Sequence, residues 1–184
     1  MAVLDLGAGR GDWLALLRDH GVAAIGFDTN PRLVARAVAD GLDVRLDDAA
    51  RALAAQPAAS AAAITAIHLV EHLPLPRLVS LLVESARVLA PGGVLVLETP
   101  DPENVAVGAC AFYLDPTHER PIPAALLQFL AAAAGLDVQD VRRLHPDDAT
   151  LARARDEQWP AGLATLFGGP RDYAVLARPT SVPA

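Results

Sequence analysis

Short apolar runs alternate with amphipathic stretches along most of this chain, a pattern that predicts strands and helices taken in turn. Val3 and Leu4 end an apolar run short enough for a buried parallel strand. A helix opens at Asp12, a first-turn acid or N-cap, and continues through Trp13-Leu-Ala-Leu-Leu17. Residues 22–27 form a second strand that ends at Asp28. Asn30 and Pro31 then cap and start a helix running to Ala39. Residues 42–46 and 62–67 supply strands three and four. Between residues 77 and 89 an apolar stripe of Leu78, Leu81, Leu82 and Ala86 returns at helical spacing. Ala90-Pro-Gly-Gly93 breaks that helix before a fifth strand at 94–98.

The second half is less regular. Residues 99–121 are too polar and too proline-broken for a core element, and too long for a simple connection, which predicts a functional loop. Residues 126–134 read as a helix stopped by Gly135, and 136–141 as a sixth strand. Residues 147–158 form a polar helix whose acids and arginines make a solvated face. Residues 159–170, rich in glycine and proline, are a loop or short helix in which Trp159 and Phe167 pack a satellite cluster or meet a partner. Residues 172–177 make a seventh strand, expected antiparallel between the fifth and sixth, and a tail follows from Arg178.

The first strand meets its helix through Asp5-Leu-Gly-Ala-Gly-Arg-Gly11. Gly7, Gly9 and Gly11 let the backbone turn sharply and come close to a ligand. Strand, glycine turn and helix are the nucleotide-binding opening of a doubly wound α/β fold. A dinucleotide fingerprint wants G-x-G-x-x-G, because the pyrophosphate sits on the helix N-terminus. Here the glycines run G-x-G-x-G, and Asp12 stands where the last dinucleotide glycine belongs. That suits a ligand without a pyrophosphate and disfavours an NAD-dependent oxidoreductase. Asp5, two residues before the first glycine, can hold a cationic or amino-bearing group. Asp28, with Thr29 beside it at the end of strand two, can accept both hydroxyls of a ribose. The simpler reading of Asp28 is a cap for the next helix.

The D-x-G-x-G-x-G of residues 5–11 resembles motif I of class I S-adenosylmethionine (SAM) dependent methyltransferases. The phrase R-V-L-A-P-G-G-V-L-V-L-E, residues 87–98, is similar to that family's segment between helix D and strand five. The resemblance implies a Rossmann-like seven-stranded sheet in the order 3-2-1-4-5-7-6, with the last strand antiparallel. It implies SAM as cofactor and S-adenosylhomocysteine as product. Asp5 with Gly7, Ala8 and Gly9 would hold the amino-acid end of SAM, and Asp28 with Thr29 the ribose. Asp48 would bond the adenine amine while the Ala49 N–H contacts the ring, although Asp47 and Asp48 serve equally well as helix caps. Ile67 and His68 would line the methyl-donor side.

His68-Leu-Val-Glu71-His72 is nominally an inverted zincin motif. It follows a strand and is cut off by Pro74, with no long helix to present both imidazoles, so no metal is expected. In the resembled family a V-x-E-H-L segment is common and mostly structural. His72 is then packed, capping or on the substrate side, and His68 is the better candidate for lining the site. Within 99–121, Tyr113, Asp115, His118 and Arg120 offer a base, an orienting carboxylate and an anion binder. The competing reading is an Asp-Pro-Thr-His turn in which Asp115 bonds backbone N–H groups and His118 buttresses it. This loop, from E-T-P-x-P-E-N through F-Y-L-D-P-T-H-x-R-P-I-P, resembles a subgroup of bacterial methyltransferases from surface-polysaccharide clusters. They include domains that cap O-antigen polymannan chains, some fused to kinase or glycosyltransferase domains. The resemblance runs from Val3 to the neighbourhood of Asp140 and implies methyl transfer to a sugar hydroxyl or sugar-linked phosphate. His118 would then be the proton acceptor, oriented by Asp115 near Tyr113, with Arg120, Asn104 and His72 around the acceptor.

Composition narrows the picture further. The 184 residues suffice for one domain with a real core. Only Met1 and Ala2 precede the first strand, where the resembled family usually has a covering helix, so either the chain is a fragment or the lid comes from elsewhere. No apolar run reaches membrane-spanning length although 53% of residues are hydrophobic. With no basic n-region and cleavage site, no signal peptide is expected, and one cysteine, Cys110, excludes an internal disulfide, so a cytoplasmic location is expected. A net charge of −7 argues against nucleic acid as partner. Two other classes stay open. One is a SAM methyltransferase of a small aromatic or quinone-type acceptor, against which the 4% aromatic content and the polar loop argue. The other is a non-catalytic SAM-binding module of a larger assembly.

Overall fold

The computed structural model describes residues 1–180. Its first half alternates β1 (Val3–Leu6), α1 (Asp12–Asp19), β2 (Ala24–Asp28), α2 (Pro31–Ala39), β3 (Val44–Leu46), α3 (Ala49–Ala54), β4 (Ala61–Ile67) and α4 (Leu75–Val88). The second half adds β5 (Leu89–Pro100), α5 (Val105–Ala109), α6 (Ala124–Ala133), β6 (Leu136–Pro146), α7 (Asp148–Asp156), α8 (Ala161–Gly168) and β7 (Pro170–Pro179). One sheet orders the strands β3-β2-β1-β4-β5-β7-β6, with β7 antiparallel to both neighbours, as the sequence led one to expect.

β1 is central because all four of its residues are apolar or internally satisfied and all are buried. Val3 pairs with Ala24 on one side and Ala63 on the other. A strand covered on both faces has no solvent side and therefore reads as a continuous apolar run. α4 buries Leu78, Leu81, Leu82, Ser85 and Val88 against the sheet, on the stripe read from the sequence. Ile64, Leu95, Leu97, Leu127 and Tyr173 meet that stripe in the same core. A smaller cluster of Leu14, Ala37, Leu42 and Val44 packs beneath the first glycine turn.

Three boundaries differ from the sequence expectation. β5 begins at Leu89, because the Pro91-Gly92-Gly93 breaker forms a bulge between the Ala61 and Ala63 pairings rather than a separate loop. β6 and β7 run several residues longer than expected and pair from Leu136↔Pro179 to Pro146↔Pro170. β6 is an edge strand with mostly polar, exposed residues, so no apolar alternation announces its second half. Residues 99–121 are more ordered than a loop: they hold α5 and a single 3-10 turn at Ala111–Leu114. Val107, Phe112 and Ile122 from this stretch and its end are buried. Among the described residues no helix is long and apolar enough to cross a membrane.

β6 lies two antiparallel steps from β5 and so runs in the same direction as β1, β2, β4 and β5. The carboxyl ends of those five strands and the start of β7 therefore share one edge. In doubly wound sheets this is the edge where ligands bind.

Candidate cofactor cleft and acceptor edge

Gly7, Gly9 and Gly11 all take left-handed backbone, with φ of 73°, 56° and 83°. At Gly11 a side chain is doubly excluded, since a Cβ would lie 2.5 Å from Leu42 Cδ1. At Gly9 a Cβ would meet nothing within 4 Å, so the turn faces open space. The turn's own N–H groups point inward: Gly7 and Ala8 donate to the Phe27 carbonyl, and Gly11 to the Ala8 carbonyl. Gly9 N–H donates to Asp28 Oδ2 at 2.8 Å, and Asn30 N–H to Asp28 Oδ1 at 2.7 Å. Asp28 thus clasps the turn to the end of β2. The cap of α2 is Asn30, whose side chain accepts from Arg32 N–H, and not Asp28.

Beside this turn lies a cleft of about 430 Å³ lined by Asp5, Gly7, Ala8, Gly9, Trp13, Leu33 and Ile67 among others. Asp5 forms part of its lining. It is 3% exposed, accepts from Thr65 Oγ1 at 2.6 Å, and has its pKa pushed up to about 6 by burial. Trp13 Nε1 is buried with no hydrogen-bond partner among the described residues. A second, more open cleft is lined by Thr29, Leu46, Asp47, Asp48, Arg51 and Arg77. There Asp48 caps α3, accepting from the Ala50 and Arg51 N–H groups, while its Oδ2 lies 3.2 Å from Arg77. Asp47 pairs with Arg51. The capping alternative is what the geometry displays at Asp48, and Ala49 is the first residue of the helix it caps.

His68 and His72 face different neighbours. His68, in left-handed backbone at φ 51°, places Nδ1 3.2 Å from Glu71 Oε1. Its Nε2 lies 3.7 Å from Glu98 Oε1 and 3.8 Å from Asp172 Oδ1. The hydrogen bond to Glu71, fully buried, raises the His68 pKa above the ordinary imidazole value. His145 Nδ1 lies 2.9 Å from Asp172 Oδ2 on the far side. The carboxylate of Glu71 also accepts from Thr99 Oγ1 at 3.0 Å. Sequence reading singled out His68 but missed Glu98, His145 and Asp172, which lie on separate strands with no shared motif.

The Asp-Pro-Thr-His segment is held against this edge by a bond from Glu119 N–H to the Glu71 carbonyl. His118 Nδ1 lies 2.7 Å from the Phe112 carbonyl oxygen. Only a proton on Nδ1 makes that a hydrogen bond, so the neutral ring carries its lone pair on Nε2. Asp115 does not touch His118; its Oδ1 accepts from Thr117 N–H at 2.8 Å and Thr117 Oγ1 at 2.6 Å, bonds that hold its pKa below the usual carboxylate value. Thr117 in turn lies 2.9 Å from His72 Nδ1. The Asp115 carboxylate is therefore linked through Thr117 to His72, and the group orienting His118 is a backbone carbonyl. The His72 and His118 rings meet edge to face at 4.7 Å. Tyr113 points outward and is exposed. Arg120 has buried Nε and Nη2 donors without a partner among the described residues. Asn104 is buried, caps α5 and donates to the Gly169 carbonyl at 2.9 Å, away from the histidines.

Among the described residues, two groups of side chains have donor atoms close enough together to share a metal ion: Glu71, His72 and His118, and His68, Glu98 and Asp172.

Residues 1–141 match the family model described as a methyltransferase domain. A Mycolicibacterium smegmatis protein named "Probable S-adenosylmethionine-dependent methyltransferase" is 34% identical over 141 residues, 75% of this chain. The chain spans about half, 52%, of that relative's length. The crystal structure of a SAM dependent methyltransferase from Archaeoglobus fulgidus superposes with a TM-score of 0.80 at 29% identity, covering 96% of this chain and 85% of that one. A SAM dependent methyltransferase from Mesorhizobium loti shares the fold with a TM-score of 0.72 at 20% identity, covering 96% and 90% of the two chains.

Proposed function

The chain belongs to the methyltransferase-domain family, whose cofactor is SAM, and on that premise we propose that it transfers a methyl group to an oxygen of a sugar or sugar phosphate. The observation that carries the reading is that the open glycine cleft and a histidine whose free lone pair is fixed by the fold lie at the same edge of the sheet. The cleft suits the amino-acid and ribose parts of SAM. It has open space over Gly9, an acid in its lining at Asp5 and an indole N–H at Trp13 with no acceptor among the described residues. Asp28 carries acceptor capacity beyond its two backbone bonds, since each carboxylate oxygen has two lone pairs. When bound, SAM supplies an electrophilic sulfonium methyl; the remaining work belongs to this chain's residues.

His118 Nε2 is the proton acceptor for a hydroxyl acceptor, with the Phe112 carbonyl holding its tautomer. The resemblance puts Arg120 beside the acceptor, where a guanidinium suits an anionic group, so a sugar phosphate is favoured over a neutral sugar. The resemblance of the Asp-Pro-Thr-His segment to surface-polysaccharide methyltransferases supports a glycan acceptor of cytoplasmic origin, with a glycosyltransferase or kinase as companion. Calorimetry with S-adenosylhomocysteine tests the cofactor half: micromolar binding is expected, at least tenfold weaker in Asp28→Ala. Transfer of labelled methyl from SAM to phosphorylated and free glycans tests the acceptor half. Labelling of aromatic acceptors alone would overturn the glycan reading.

A further inference from the structure

We propose that His68 Nε2, Glu98 Oε1 and Asp172 Oδ1, with His145 beside them, form a binding site for one divalent first-row transition-metal ion. The site goes beyond the methyl-transfer reading and does not depend on it. Its residues come from the carboxyl-edge ends of four consecutive strands of the sheet: His68 follows β4, Glu98 is in β5, Asp172 in β7 and His145 in β6.

The spacing is that of ligands around an ion. Nε2 stands 3.7 and 3.8 Å from the two carboxylate oxygens, too far for hydrogen bonds. Two ligands each roughly 2.0–2.2 Å from a shared ion are separated by such distances when they subtend an angle of roughly 120°. The tautomer is also right. Glu71 is buried, its two oxygens taken by His68 Nδ1 and Thr99, so the His68 proton sits on Nδ1 and the lone pair on Nε2. A carboxylate behind an imidazole is the arrangement that orients metal-bound histidines. The same commitments leave Glu71 a supporting partner of His68 and make the trio with His72 and His118 the weaker candidate.

Charge points the same way. Glu98 and Asp172 are each 17% exposed at the side chain, and their ion-pair partners among the described residues are the two imidazoles alone. The nearest arginines in sequence are engaged elsewhere: Arg143 with Asp101 and Glu103, Arg171 with Asp147. Partly buried carboxylates without a permanent cation favour one from solution. His145 shares the left-handed backbone of His68, with φ of 55°, and a residue other than glycine is uncommon there. The mixture of imidazole and carboxylate without thiolate selects zinc, manganese, iron, cobalt or nickel over calcium or magnesium. Both imidazoles reach the surface, which leaves an entry path.

The test is titration of Co²⁺, followed by visible absorption, and of Zn²⁺, followed by calorimetry, without cofactor present. Wild type is expected to bind one ion per chain. Asp172→Asn and Glu98→Gln, with unchanged circular dichroism, are expected to bind at least tenfold more weakly, and His118→Ala as tightly as wild type. No saturable binding by wild type overturns the proposal. So does loss of binding in His118→Ala with retention in Asp172→Asn, which would move the ion to the Glu71, His72 and His118 trio. A failure to bind S-adenosylhomocysteine would leave these outcomes unaffected.

Discussion

Asp5 shows how a residue proposed to serve the ligand can cost the fold. Burial raises its pKa to about 6, against the opposing bond from Thr65. Because the folded carboxyl holds its proton to higher pH than the unfolded one, its ionisation is a cost to folding. That cost is complete above about pH 6 and fades as the pH falls toward 4; it is on the order of 3 kcal/mol at neutral pH. Asp5→Asn is therefore expected to raise the thermal midpoint at pH 7.5, with the gain shrinking as the pH approaches 4. The same variant is expected to bind S-adenosylhomocysteine more weakly, because a cationic amino group loses its counter-charge. A thermal midpoint that falls at every pH would contradict this account. At His118 the prediction concerns rate: His118→Ala is expected to lower kcat by about 10²–10⁴-fold on a hydroxyl acceptor while leaving cofactor affinity in place. Full turnover by that variant would remove the base assignment.

Among the elements, the segment between β5 and α6 carries most of the site's particular character. Its polarity and prolines led to the expectation of a functional connection, and its Asp-Pro-Thr-His stretch supplies residues of the proposed acceptor site. The wiring was not. Asp115 was expected to orient His118, yet it reaches His72 through Thr117, because a side chain two residues away wins over one three away when the turn closes. Asn104 was expected near the acceptor and instead is buried beneath α5, tying that helix to Gly169. Asn104→Ala removes the cap and leaves a buried carbonyl unpaired, which should cost about 2–3 kcal/mol. Urea unfolding would show it as a lower midpoint with an unchanged slope. An Asn104→Ala protein of native stability would return the residue to the acceptor side.

At the scale of the molecule, the β5-β7-β6 half of the sheet carries the long segment that holds the proposed acceptor side. Tyr173, buried in β7, donates to the Ile122 carbonyl at 2.8 Å and so anchors the end of the long segment to the sheet. Tyr173→Phe is expected to lower stability by about 1–3 kcal/mol, seen in the denaturation midpoint, without altering S-adenosylhomocysteine binding at the distant β1 turn. The order of elements, the strand order and the cofactor class were open to sequence reading. The order of elements rests on signals close along the chain: apolar period, caps, and glycines whose backbone no other residue adopts comfortably; the strand order and the cofactor class came through the resemblance of residues 5–11 and 87–98 to class I SAM-dependent methyltransferases. The second half of β6 was hidden because an edge strand needs no apolar face. What the sequence by itself determined was thus the βα succession and the sharp glycine turn after β1. Only the tertiary structure decided that His68, Glu98, His145 and Asp172 share one edge. Three sit on β5, β6 and β7 and His68 just after β4, and the sheet places those strands in an order, β4-β5-β7-β6, that differs from their order in the chain.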